Sequence, residues 1–318
     1  MHNESKSVQG DKAVEVALKN KYRKYPDRED PRYFEEIILP GITPKFKFSK
    51  IEKYKVFTIG SCFARNIEEA LSDIPNIVIP TLSFSVPKEE WPHRPNGVLN
   101  EYTPGSMSQR ILYTCKQLSF GDEAIFEIKP GQFIDCLLVS TQYPVTRERA
   151  LQRRKEIKEL YLNLLDSDIL IITLGYVEAF MYKNIWINRL PPIPIVRRES
   201  EHFRFYRLDV FKTFDLLKNA IEELFNHNPF IKIIITVSPV PIQATFTPYD
   251  CVVANSYSKS VLRTAAMHIS EYFDNVDYFP SYEIITSMGL SAFCDDLIHV
   301  KSNVVQKITK YFYECYFH

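Results

Sequence analysis

The chain has 318 residues, 45% of them hydrophobic, enough to fill one large core or two small ones. Lysine plus arginine and aspartate plus glutamate each total 39, so the net charge is zero and nothing draws the chain to nucleic acid or an anionic membrane surface. Six scattered cysteines without a Cys-x-x-Cys pair exclude a zinc knuckle and a disulfide framework and read as free thiols.

Residues 1–50 are charged and punctuated by Pro26, Pro31, Pro40 and Pro44, with one helical stretch over 12–22. They read as a wrapping arm on a body formed by residues 51–318. The first residues are polar and no later run is long enough to span a bilayer, which predicts a cytoplasmic protein. From Lys55 the pattern changes. Val56-Phe57-Thr58-Ile59 reads as a strand, Gly60-Ser61 as a sharp turn, and Phe63, Ala64, Ile67, Ala70 and Leu71 fall at helical spacing. Further strands are predicted at 77–82, 168–174, 231–237 and 276–279. Helical stripes run through 151–164, 214–224 and 262–273, and a last helix follows Ser302 as its N-cap. Strands alternating with helices predict a three-layer α/β/α sandwich around a mostly parallel five-stranded sheet. Residues 83–146 and 176–208 break the alternation and are expected as insertions over the carboxyl ends of the strands, where open α/β sheets bind ligands.

Chemistry concentrates at two places. Ser61 lies after a strand and at a helix start, where backbone N–H groups face any oxyanion that forms; capping the helix is the plainer role for such a serine. A serine hydroxyl needs a base, and of seven histidines His299 stands out, because Asp296 precedes it by three residues in the loop before the final helix. A carboxylate there folds back within a turn to accept the imidazole Nδ1–H and leaves Nε2 for the serine. Asp295 is the alternative orienting acid. Cys62 is the rival nucleophile, since a thiolate at a helix N-terminus is stabilised. Ser258-Lys259 suggests a Ser–Lys pair, but adjacent helix positions point apart. Nucleotide-binding glycine motifs and histidine pairs at metal spacing are missing, so neither a cofactor nor a metal is expected.

Gly60-Ser61-Cys62-Phe63-Ala64 resembles the signature that names the GSCFA family, and with the late Asp296-x-x-His299 the chain is similar to the wider SGNH (GDSL-like) hydrolases. Further matches are Asn96-Gly97-Val98-Leu99-Asn100, Thr173-Leu174-Gly175 followed by Glu178, Val237-Ser238-Pro239-Val240, and Asn255 with Ser258-Lys259; together they run from about Phe46 to Val300. The resemblance implies an SGNH/flavodoxin-like sandwich with Ser61 as nucleophile, His299 as base and Asp296 as orienting acid. Gly97 matches a glycine whose N–H joins the oxyanion hole. Where that superfamily places Gly-x-Asn-Asp, this chain has Gly175-Tyr176-Val177-Glu178, so Val177 stands in place of a donor amide. Asn100 is the preferred replacement; losing one such donor costs about 3 to 4 kcal/mol of barrier. Glu178 either orients substrate or braces its loop.

These readings together predict a serine-dependent acyl ester hydrolase or O-acyltransferase. Its expected substrate is a small-molecule or glycan acyl ester, and the resemblance to SGNH hydrolases implies acetyl on a carbohydrate, as in polysaccharide biosynthesis. In the transferase case, acyl-CoA or another acyl donor is a substrate. The alternative, motivated by Val177, is a catalytically weak or inactive scaffold that binds a glycan or partner. The oligomeric state is left open.

Overall fold

Five apolar segments pair in parallel: β1 (Tyr54–Gly60), β2 (Ile77–Val78), β3 (Ile169–Leu174), β4 (Lys232–Val237) and β5 (Val276–Phe279). Their order across the sheet is β2-β1-β3-β4-β5, the flavodoxin-like winding. This computed structural model describes residues 7–317; residues 1–6 and His318 lie outside the described residues. Successive side chains on a strand point to opposite faces. Phe57, Ile59, Leu170, Ile172, Ile233 and Ile235 therefore fill one core, and Val56, Ile169, Ile171 and Ile234 the other. Burial on both faces is why the strands read as unbroken apolar runs.

The helices are α1 (Gly10–Lys19), α2 (Cys62–Ser72), α3 (Pro104–Cys115), α4 (Arg147–Leu162), α5 (Ile193–Arg198), α6 (Val210–His227), α7 (Cys251–Tyr272), α8 (Ser281–Ser287) and α9 (Ser302–Tyr316). Side chains of α3, α4, α6 and α7 complete the first core and those of α2, α8 and α9 the second, giving the expected three layers.

Local chemistry accounts for several departures from the predicted elements. The strand expected over 77–82 pairs only at Ile77–Val78, because Pro80 has no N–H for the ladder and opens a 3-10 turn, Pro80–Ser83. The helix expected over 12–22 is found at Gly10–Lys19 and is exposed along its length. Ser302 is the first residue of α9 rather than its cap, which falls on Lys301 without a side-chain bond. Within 83–146, α3 packs on α6 and belongs to the helical layer. The remainder of the two insertions overhangs the sheet. A hairpin (Ile125–Lys129 with Gln132–Asp135) and a three-stranded antiparallel sheet (Glu178–Tyr182, Ile185–Ile187, Phe203–Arg207) share a small core of their own. Residues 37–48 lie along the second core, where Ile37 and Phe48 are buried and Phe48 N donates to Tyr316 O at 2.7 Å. Among the described residues, no helix is long and apolar enough to cross a membrane.

Candidate active site

In a sheet of this order the winding reverses between β1 and β3, and the crevice beyond their carboxyl ends is the place where such sheets bind ligands. Two glycines allow the close approaches there. A Cβ on Gly60 would lie 2.6 Å from Thr173 O, and one on Gly175 would lie 2.7 Å from Tyr102 O. Beyond β1 and β3 opens a cavity of about 720 Å³ that brings together Ser61, Gly97, Asn100, Gly175, Glu178 and His299.

Ser61 is only 3% exposed and caps α2, its Oγ accepting from Phe63 N at 3.4 Å. That bond is long, so the hydroxyl is weakly held by its capping role. Cys62 is half-buried, and burial pushes its thiol up, which leaves little thiolate near neutrality.

Asp296 stands behind His299. Its Oδ2 lies 2.5 Å from His299 Nδ1, while Oδ1 accepts from His299 N at 2.9 Å and Ile298 N at 3.0 Å. Donation from the imidazole, followed by the backbone N–H groups of His299 and Ile298, holds the carboxyl at about 2. An ionised carboxylate only accepts, so Nδ1 carries the proton and Nε2 is the free nitrogen. Of the two candidate acids, Asp296 is the one bonded to the imidazole. Leu297 takes a left-handed φ of 56° to close this turn, a strain of about 1 to 3 kcal/mol. The His299 side chain is 61% exposed, and among the described residues no hydrogen bond joins it to Ser61. Changing Asp296 to asparagine should lower ester turnover roughly tenfold to a hundredfold, less than for a buried triad acid because the pair is solvated. Unchanged p-nitrophenyl acetate turnover would remove Asp296 from the mechanism.

The expected oxyanion donors are differently disposed. Ser61 N–H donates to Thr173 O at 3.4 Å, and Gly97 N–H to Arg94 O at 2.9 Å, closing the 3-10 turn Pro95–Leu99. Gly175 N–H donates to Tyr102 O at 3.0 Å. Val177 is a core residue whose N–H donates to Ser258 Oγ at 3.0 Å. Asn100 is 7% exposed on the cavity wall, with its carbonyl fixed by Asn188 Nδ2 at 2.6 Å, and its side-chain oxygen has no partner. The unpaired atom is the amide oxygen, an acceptor whose burial costs about 1 to 3 kcal/mol, so only the Nδ2 end of Asn100 could serve an oxyanion. Glu178 braces a loop: Oε1 accepts from Thr245 Oγ1 at 2.6 Å and Oε2 from Phe246 N at 2.7 Å.

Ser258 and Lys259 serve a purpose that adjacency along a helix concealed, since both reach the loop after β3. The fully buried Lys259 Nζ donates to the carbonyls of Gly175, Ser238 and Val240, each at 2.7 Å, and so ties the loops after β3 and β4 together. Burial pulls this ammonium down to about 7. The three carbonyls oppose that shift, because a neutral amine has only two N–H groups to offer them. Lys259→Met should therefore cost about 3 kcal/mol of stability by orphaning three buried carbonyls. A urea midpoint equal to that of wild type would refute the clamp.

A second buried network went unread in the sequence. Glu68, fully buried on α2, pairs with Arg65 at 2.7 Å and accepts from Thr58, from Thr81 at 2.5 Å and from Asn96 at 2.6 Å. It joins β1, α2 and the 3-10 turn that precedes Asn100. A signal was present: Arg65 and Glu68 are charges embedded among Phe63, Ala64, Ile67 and Leu71. The cavity's aromatic walls were also not foreseen. Tyr102 stacks on Tyr176 at 5.4 Å, and Trp91, His93 and Tyr143 meet edge to face.

No curated protein matches the sequence significantly. Among solved structures, a family 3 carbohydrate esterase from Clostridium thermocellum is similar at 9% identity, covering 83% of this chain and 94% of that one with a TM-score of 0.37. A family 3 carbohydrate esterase from Talaromyces cellulolyticus is similar at 10% identity, covering 81% and 94% with a TM-score of 0.40. Likeness at this level carries no chemical inference. The sequence itself is decisive: the profile of the GSCFA family matches residues 55–312, and the chain belongs to that family.

Proposed function

We propose that the chain is a serine-dependent acyl ester hydrolase or O-acyltransferase. The observation that carries this reading is the convergence on one cavity of Ser61, at the start of α2, and His299, backed by Asp296. Ser61 Oγ attacks the acyl carbonyl while His299 Nε2 takes its proton. The imidazolium, steadied by Asp296, then protonates the departing alcohol and an acyl-enzyme remains. Negative charge on the carbonyl oxygen is met by the first-turn N–H at Cys62, which no carbonyl within α2 can take, and by an N–H of the Asn100 Nδ2 group on the cavity wall. The rings of Trp91 and Tyr143, beside Gln142, line the cavity with apolar surface next to a hydrogen-bonding group, which suits an acetylated sugar. No cofactor enters these steps, and acyl-CoA would serve only as a donor substrate.

The test is a fluorophosphonate probe with mass-spectrometric mapping, alongside p-nitrophenyl acetate turnover. The probe should tag Ser61, and folded protein that neither labels nor turns over the ester would overturn the reading. A second reading, a glycan-binding scaffold without turnover, is favoured by one specific observation: the Ser61 and Gly97 N–H groups both donate to backbone carbonyls. It predicts calorimetric binding of acetylated oligosaccharides with no cleavage and no probe labelling.

A further inference from the structure

The site has a second approach. A groove of about 840 Å³ runs between α2 and α9 and shares Cys62, Val240 and His299 with the first cavity. Ser61 lines the first cavity and not the groove, so acyl carbonyls reach the serine from one side while His299 borders both.

We propose that this groove binds the acceptor alcohol of an acyl transfer, a neutral hydroxyl-rich molecule such as an oligosaccharide end, and delivers its hydroxyl to His299. The proposal rests on the acyl-enzyme reading above and decides between its two outcomes. The groove walls follow helical spacing. Asn66, Glu69 and Asp73 come from the α2 side, and Gln306, Thr309 and Tyr313 from α9. Glu69 is paired with Arg94 and Lys310 with Glu314, Asn66 Oδ1 accepts from Arg94, and the Thr309 hydroxyl donates to Val305 O. That leaves the amide N–H groups of Asn66 and Gln306, the Ser302 hydroxyl, the Asp73 carboxylate and the Tyr313 ring to face an occupant. Such groups hydrogen-bond hydroxyls and do not select an ion. By helix rise the α2 wall extends about 16 Å from Cys62, long enough for an extended chain rather than a single water.

Chemistry requires the second substrate to approach the acyl-enzyme where the base stands free. Nδ1 of His299 is held by Asp296, so Nε2 is the nitrogen left for the reaction. It takes the proton of the acceptor hydroxyl as that oxygen bonds to the acyl carbon. The tetrahedral intermediate then expels Ser61 Oγ, which recovers the proton from His299. The new ester leaves along the groove, and the first cavity need not release its leaving group through the same opening.

The experiment uses the full chain, p-nitrophenyl acetate as donor, and glycerol, maltotriose and xylotriose as acceptors. It reads the p-nitrophenol burst and, by mass spectrometry, the acetylated acceptor. Wild type should acetylate at least one oligosaccharide with saturation. Gln306→Trp, an exposed position where the indole fills the groove without disturbing a core, should keep the burst within about twofold and lower acetylated product about tenfold or more. A wild-type burst without any acetylated acceptor overturns the proposal, as does a Gln306→Trp variant that transfers as well as wild type. Absence of both p-nitrophenol release and fluorophosphonate labelling of Ser61 in wild type is a distinct result, which removes the acyl-enzyme itself and the acceptor groove with it.

Discussion

Replacing Ser61 with alanine should lower ester turnover by about 10⁴-fold or more while leaving the fold intact. The two effects separate because the two roles of Ser61 differ in strength. As a cap, its oxygen accepts one bond of 3.4 Å, so losing it costs about 0.5 kcal/mol, the low end for an N-cap. As the proposed nucleophile, its Oγ would form the acyl bond, and alanine has no atom to take its place. Cys62 is the neighbour to exclude. Burial raises the pKa of its half-buried thiol and so disfavours the thiolate, and Cys62→Ala should change turnover only a few-fold. Probe labelling that survives in Ser61→Ala and vanishes in Cys62→Ala would transfer the nucleophile to the cysteine. Purified Ser61→Ala protein with wild-type turnover would end the serine mechanism.

The largest loss of stability should come from Glu68→Ala, about 3 to 5 kcal/mol in a urea titration. The substitution leaves the buried Arg65 guanidinium without its carboxylate, and takes the charged acceptor from Thr58, Thr81 and Asn96, which keep one another: Thr58 Oγ1 with Thr81 Oγ1 at 3.1 Å and Asn96 Nδ2 with Thr81 O at 3.2 Å. Uncompensated charge in a dry interior is the costly element, which a double change makes visible. Arg65→Met with Glu68→Leu removes both charges and should recover most of the loss. Turnover adds a second readout. Asn96 belongs to the turn that carries Gly97 and ends at Asn100, and Glu101 N donates to Gly60 O at 2.9 Å, so this network sets the Asn100 wall against the Ser61 turn. A Glu68→Ala protein as stable as wild type would show that the pair contributes nothing net.

Much of this arrangement is local and therefore legible along the chain. Parallel strands buried on both faces must be continuously apolar, and β3, β4 and β5 were found within a residue, and β1 within two, of where those runs placed them. The Gly60-Ser61 turn is equally explicit, since only a glycine fits against Thr173 and a serine is a natural first cap. Asp296 and His299 meet because three residues span one turn, a contact written in sequence spacing.

What the tertiary structure alone decided is the disposition of groups whose partners are distant in sequence. Ser61 N–H looks free in a motif, yet it donates to Thr173 O, a carbonyl that only the folded chain presents. Lys259 reads as half of a dyad until Gly175, Ser238 and Val240 bring it three acceptors from two other loops. Glu68 reads as an ordinary helix charge until Thr58, Thr81 and Asn96 close around it. Periodicity records which face of an element is buried, but a hydrogen bond is settled by the registry of separate elements, and that registry exists only once the layers pack. The sequence by itself determined the sheet, the Ser61 turn and the Asp296–His299 pair; packing determined that they share one cavity, and that His299 opens onto a second.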